Sequence, residues 1–180
     1  MFRKAVSSLI VMMLLASVLV LAFNVKDVKG EWAGTVYIRA DGRIDPSDAP
    51  ITTYDNITYI LTDNITSSGD GIVVERNNIV VDGAGFTVQG TRASGSKGVD
   101  LSEGTNVTIW NMRIENFEYG VYAYSSSNNT ISSCSISKNF RGIYLREGSN
   151  NYIVSICNIS LNDFGFYAAH SHNHVIKIIK

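Results

Sequence analysis

This chain lacks an excess of charge of either sign. Its 180 residues carry 15 Lys and Arg against 16 Asp and Glu, a formal net charge of −1. A chain so balanced offers no electrostatic case for nucleic acid or an anionic membrane surface as partner. Charged residues make up 17%, below the usual ~25%. Proline is scarce, with two in the chain, and so is cysteine, also with two. The dense leucine and asparagine consensus of leucine-rich repeats is absent. Gly, Ser, Asn, Thr and Ile abound instead, which is a β and turn composition. The length suits about one domain.

The first residues form a separate segment. "MFRK" is basic, and the 19 residues Ala5 to Phe23 are apolar apart from three serines. A basic start followed by an apolar run reads as a secretory signal peptide. The run is also long enough to span as a helix, so an uncleaved membrane anchor is the alternative over residues 1–28. Either reading places the chain from about Glu31 onward outside the cytoplasm, as a secreted, cell-surface or membrane-anchored protein.

Glycines mark a period. Gly98, Gly120, Gly142 and Gly165 are spaced 22, 22 and 23 apart, and Gly71 fits one step earlier at a spacing of 27. Each opens the same phrase: "GIVV", "GVDL", "GVYA", "GIYL", "GFYA". Apolar residues stand first and third after glycine, and the second position varies, which is the period of a strand with one buried face. A second strand follows in each repeat. Ile109, Ile131, Ile153 and Val175 are 22 apart, as are Met112, Cys134, Ile156 and Ile178. A repeat this short cannot bury its own apolar face and must stack on its copies. The alternation and the Gly, Asn and Ser content exclude helical repeats, so the expected fold is an all-β parallel β-helix of about five rungs of 22–23 residues over 71–180. Residues 29–70 do not fit the period and are expected to form an N-terminal cap with lead-in strands. Asn116, Asn139 and Asn162, 23 apart, are expected to form an asparagine ladder, each amide bonding the next rung. The run "HVIKIIK" stops mid-rung, so the C-terminal edge is expected to need a partner or further rungs.

The segments "YIRADGRIDPSDAPI", "YILTDNI" and "GIVVERNNIVVDGAGFTVQG", followed by "NN-x-I" rungs, resemble secreted right-handed parallel β-helix repeat proteins. Many of these are grouped with the NosD-like periplasmic copper-binding family and with carbohydrate-binding and sugar-hydrolase β-helices. The resemblance covers about residues 35–176. It implies a right-handed coil, in line with the general preference for right-handed crossovers. For activity it implies little, because one fold hosts many functions.

Several residues are candidates for chemistry. Tyr122, Tyr144 and Tyr167 stand at equivalent outward positions, where an aromatic stripe can stack on sugar rings or stabilise neighbouring rungs. Asp100, Arg146 and Glu147 lie near this stripe and would line a sugar groove. His170, His172 and His174 in "HSHNH" could grip copper or zinc, with the resemblance pointing to copper, or serve as polar turn residues. Cys134 and Cys157 are one rung apart, within reach of a disulfide in an oxidising compartment; two buried thiols is the alternative. Asn-x-Ser/Thr sequons at Asn56, Asn64 and Asn106 fall near turns and are the better glycosylation candidates, ahead of those at Asn128 and Asn158. The acids Asp82, Asp100, Glu103, Glu115, Glu118, Glu147 and Asp163 are scattered. No Asp-Asp, Gly-His-Gly or Arg-x-Lys motif of a polygalacturonase is present, which leans away from an enzyme. The leading expectation is therefore an exported β-helix protein that binds a polysaccharide or glycan, or serves a structural surface role, without a cofactor. A NosD-like copper-associated protein and a polysaccharide lyase or hydrolase are the alternatives.

Overall fold

A computed structural model describes residues 32–178. The signal or anchor segment expected over residues 1–28 lies outside the described residues. Among the described residues, no helix is long and apolar enough to cross a membrane.

The described chain is an all-β, right-handed β-helix of about five turns. Each turn lays down short strands on three faces. Face I stacks Val36–Ile38, Ile72–Val74, Lys97–Asp100, Tyr119–Tyr124, Arg141–Arg146 and Phe164–Ala169 in parallel register. Face II stacks Thr58–Leu61, Ile79–Asp82, Val107–Trp110, Thr130–Ser132, the start of Ile153–Ser160, and Val175–Ile178. Face III stacks Ile65–Thr66, Thr87–Gln89, Arg113–Glu115, Ser135–Ser137 and the end of Ile153–Ser160. Because Ile153–Ser160 runs through both, faces II and III merge into one 11-stranded sheet.

The lead-in segment supplies a complete first turn. Val36–Ile38 pairs in parallel with Ile72–Val74 across an interval of 36 residues, too long to register in the period. Two antiparallel returns cover this turn. Ile44–Asp45 pairs with Val36–Ile38, and Ile51–Thr53 pairs with Thr58–Leu61.

The core follows from the alternation. Val36, Ile72, Val99, Val121 and Ile143 form one fully buried column, and Ile38, Val74, Leu101, Ala123 and Leu145 form another. Val81, Ile109, Ile131 and Val154 line the inside of face II, and Ile65, Val88, Ile114 and Ile136 the inside of face III. The glycine period has a steric cause. A Cβ on Gly71, Gly98, Gly120 or Gly142 would lie 2.4–2.5 Å from the carbonyl oxygen of the glycine one turn on. No side chain fits that approach, so glycine recurs.

The corners turn by left-handed residues in columns. Glu103, Ser125, Glu147 and His170 have φ of 61°, 48°, 48° and 52°. Asn78, Asn106, Asn128, Asn151 and Asn173 lie between 56° and 60°. Asn111, Ser133 and Ile156 make a third column, and Asn116, Lys138 and Leu161 a fourth. Asparagine tolerates this conformation best among residues with a Cβ, which is why the corners are asparagine-rich.

The observed register corrects the sequence reading at one point. Tyr124 aligns with Arg146, but Ser127 aligns with Asn150, so one extra residue falls between them. Gly148, at φ 81°, is that residue. Beyond it the second strand is shifted by one. Val154 and Ile176, not Ile153 and Val175, continue the column of Ile109 and Ile131. Ile156 is 59% exposed at φ 57°, and Cys157 stands on Cys134 in its place.

Two substitutions test these backbone constraints. Gly142→Ala is expected to lose about 1–3 kcal/mol, since the obstacle is backbone. Ile156→Asn is expected to gain about 1 kcal/mol by relieving a β-branched residue from the left-handed region. Urea denaturation midpoints for the two variants should move in opposite directions; a shared direction would contradict the register.

Candidate functional site

Face I differs from the other two in what it shows to solvent. Its outward positions form three columns. The first holds Lys97, Tyr119, Arg141 and Phe164; the second holds Asp100, Tyr122, Tyr144 and Tyr167; the third holds Tyr124, Arg146 and Ala169. Faces II and III carry threonines, serines and asparagines at such places, for example Thr108 and Thr130 or Ser135 and Asn158, together with isolated larger side chains such as Trp110 and Ile153, with no connected ring cluster among the described residues.

The tyrosines form one connected patch. Tyr119 and Tyr122 lie 5.3 Å apart between ring centroids, Tyr119 and Tyr144 5.4 Å, Tyr122 and Tyr144 5.8 Å, and Tyr144 and Tyr167 5.4 Å. Tyr119 and Tyr144 are stacked at 26°, and Tyr122–Tyr144 and Tyr144–Tyr167 meet edge to face. Such geometries are the favourable ones for ring quadrupoles. Tyr122 and Tyr144 are half-buried, and Tyr167 is 46% exposed.

Cations interleave with the rings. Lys97 Nζ sits 4.9 Å from the Tyr122 centroid and Arg146 5.9 Å from that of Tyr124. Arg141 lies within 5.9 Å of five rings: Phe140 at 4.8 Å, Tyr144 at 5.0 Å, Tyr119 at 5.5 Å, Phe164 at 5.7 Å and Tyr167 at 5.9 Å. The sequence reading missed Arg141 and Tyr119 because both precede the glycine that opens each phrase.

The acids of this face are already engaged. Lys97 donates to Asp100 at 2.6 Å, and Asp100 also accepts from the Ser102 amide and hydroxyl. Asp70 accepts from the Lys97 amide at 2.8 Å, and its carboxyl is pushed up from the usual range by burial. Burial pulls Lys97 down, but its hydrogen bond to Asp100 and the charges of Asp100 and Asp70 outweigh this and hold it up. Arg146 reaches Glu147 at 3.5 Å, and Glu118 accepts from the Gly95 amide at 2.5 Å. Of the groove residues expected from sequence, Asp100, Arg146 and Glu147 thus border the tyrosines, each tied into an ion pair.

The histidines do not converge. His170 is exposed at a corner, with Nδ1 3.6 Å from Glu147. His172 is exposed as well. His174 turns to the inside, where Nδ1 accepts the Tyr152 amide at 3.3 Å. Among the described residues, no three His, Cys, Asp or Glu side chains gather as a metal-ligand set. Cys134 and Cys157 are adjacent, buried, free thiols. Cys134 is held strongly protonated by its hydrogen bond to Cys157 and by burial.

The asparagine ladders also sit differently from the expected one. Asn139 and Asn162 do bond, with the Asn139 amide and Nδ2 both donating to Asn162 Oδ1 at 2.9 and 3.1 Å. Asn116 is not their partner. It occupies the left-handed corner, and Phe117 takes the ladder place, its amide donating to Asn139 Oδ1. A 22-residue step, not 23, separates those two turns. An exposed ladder went unread: Asn106 Nδ2 donates to Asn78 Oδ1 at 3.0 Å, and Asn151 Nδ2 to Asn128 Oδ1 at 3.1 Å. The sequon residue Asn106 is therefore engaged in a ladder bond, and Asn64 Oδ1 accepts the Thr87 amide, while Asn56 is exposed at a loop corner.

An interior network closes the same corner. Asn129 is fully buried, and its Oδ1 accepts the Val107 amide at 2.7 Å while Nδ2 donates to Ser126 Oγ and Tyr152 Oη. Burial pushes the Tyr152 hydroxyl up to about 12. His174 fills the Asn129 column two turns later, one turn beyond Tyr152.

This makes the last turn acid-sensitive. Burial, with His172 nearby, holds the His174 pKa below its ordinary value. Its folded-state stability is therefore present above the unfolded pKa, about 6.5, and is lost as pH falls through the folded value. Protonation also removes the acceptor for the Tyr152 amide. Hydrogen exchange at the Tyr152 amide is expected to accelerate as pH drops from about 7.5 to about 5, after correction for the intrinsic pH dependence of exchange. His174→Asn, which copies Asn129, should abolish that acceleration; an unchanged profile would sink the assignment.

The sequence matches the description "right handed beta helix region" over residues 50–178. No curated protein and no solved structure gives a significant match. The parallel three-faced coil and the span of that match agree, and the chain belongs to the right-handed β-helix family.

Proposed function

We propose that face I is a glycan-binding surface and that the protein works outside the cytoplasm as a non-enzymatic binder. The observation that carries the reading is the connected patch of Tyr119, Tyr122, Tyr144 and Tyr167, with neighbouring centroids 5.3–5.8 Å apart. Aromatic rings offer apolar contact with a polar tip, which suits the C–H faces and hydroxyls of sugars. The patch runs along the coil axis, so an extended chain has several rings to contact. Among the described residues, the acids beside the patch are paired with Lys97 and Arg146 or bound to the Gly95 amide, which favours binding over glycosidic cleavage.

The test is a glycan array with the purified protein beside the triple variant Tyr122→Ala, Tyr144→Ala, Tyr167→Ala. The native protein is expected to retain at least one polysaccharide class. The variant should lose about tenfold or more in affinity, roughly 1.4 kcal/mol, while keeping its β-rich circular dichroism. A folded native protein that binds nothing, or a variant that binds equally well, would return the stripe to a purely structural role.

A further inference from the structure

The glycan reading leaves open what kind of sugar chain this face selects. Arg141 bears on that question. Its guanidinium is half-buried among five rings, and among the described residues no hydrogen-bond acceptor or ion-pair partner meets its side chain. Its neighbours on this face are different. Lys97 is paired with Asp100 at 2.6 Å and Arg146 with Glu147 at 3.5 Å. The Gly95 amide first, and the charge of Arg141 to a lesser degree, hold the Glu118 carboxyl below its ordinary value, and no hydrogen bond joins Glu118 to Arg141.

Resting on the glycan reading, we infer that face I selects polysaccharides bearing a fixed oxyanion, carboxylate or sulfate, and that Arg141 is the residue that reads it. A guanidinium held against ring faces can keep its N–H edge available for a ligand. That edge matches an oxyanion with two parallel hydrogen bonds. The surrounding rings limit the side chain's rotamers, so less freedom is lost when a ligand docks. The nearby carboxylates Asp100 and Glu147 sit in ion pairs with Lys97 and Arg146, and Glu118 accepts the Gly95 amide. Among the described residues, Arg141 is thus the cation of the patch that no acid holds in an ion pair.

The experiment compares matched pairs of polymers. Polygalacturonate is set against its fully methyl-esterified form, and dextran sulfate against dextran, by calorimetry with the full protein, Arg141→Gln and Arg141→Lys. The native protein is expected to prefer the charged member of at least one pair by about ten- to a hundredfold, as a hydrogen bond to a charged group warrants. The pair that shows the preference names the anion. Arg141→Gln should erase the preference while leaving weak binding through the rings. Arg141→Lys should keep only part of it, because an ammonium lacks the fork. Equal binding of charged and neutral members, or a preference that survives Arg141→Gln, would overturn this inference and leave the glycan reading standing. Binding of none of the four polymers would overturn this inference, while the glycan reading stands or falls on the array.

Discussion

Everything in this molecule depends on one constraint: each turn must hydrogen-bond to the turn below, residue for residue, at a strand spacing of about 4.8 Å. A backbone ladder along a face loses its hydrogen bonds if a whole strand slips, so an inserted residue such as Gly148 is taken up at a corner. Each position in a turn is therefore bound to the same position in every other turn. Sequence becomes columns. The glycine column exists because carbonyls of successive turns approach too closely for a Cβ. The corner columns exist because the chain must bend in the left-handed region at the same place each time. Most inner columns are apolar, and the buried asparagines among them are held by hydrogen bonds, because the interior has no water to satisfy a polar group.

Where a column breaks its own rule, the structure compensates nearby. Gly148 inserts a residue, and the insertion is absorbed within one corner, between Arg146 and Asn150. Isoleucine and leucine at the left-handed positions 156 and 161 are tolerated with exposed side chains. Phe117 replaces an asparagine in an inner ladder, yet its amide is still caught by Asn139 Oδ1. His174 replaces Asn129 two turns on and keeps the same acceptor function through Nδ1. Different side chains thus serve one requirement, an acceptor for the amide one turn back.

The same logic explains what could be read from the sequence. The period, the face I alternation and the tyrosine column were legible because each repeats at a fixed offset from a glycine that sterics force. The one-residue error beyond Gly148 arose from the phrase "NN-x-I". It recurs at both 128–131 and 150–153, but Asn128 aligns with Asn151, so matching words gave the wrong register. The first turn was hidden because 36 residues separate Val36 from Ile72, against a period of 22. Arg141 was missed for a different reason. Its column holds Lys97, Tyr119, Arg141 and Phe164, in which cation and ring alternate and no one residue type repeats. A column without a common residue type leaves no periodic trace, although in space it is the centre of the patch.

That unlikeness bears on what face I is for. Rung-to-rung stability can be met by modest side chains, as threonines and serines do on faces II and III. Cross-strand pairs contribute only about 0.2–1 kcal/mol each whichever residues supply them. Rings and a cation packed side by side go beyond that need. Holding a guanidinium half-buried with no ion-pair partner among the described residues carries a desolvation cost, and the ring faces and the nearby charge of Glu118 offset part of it. The oxyanion of a bound ligand, as proposed above, would give Arg141 the partner that Lys97 finds in Asp100.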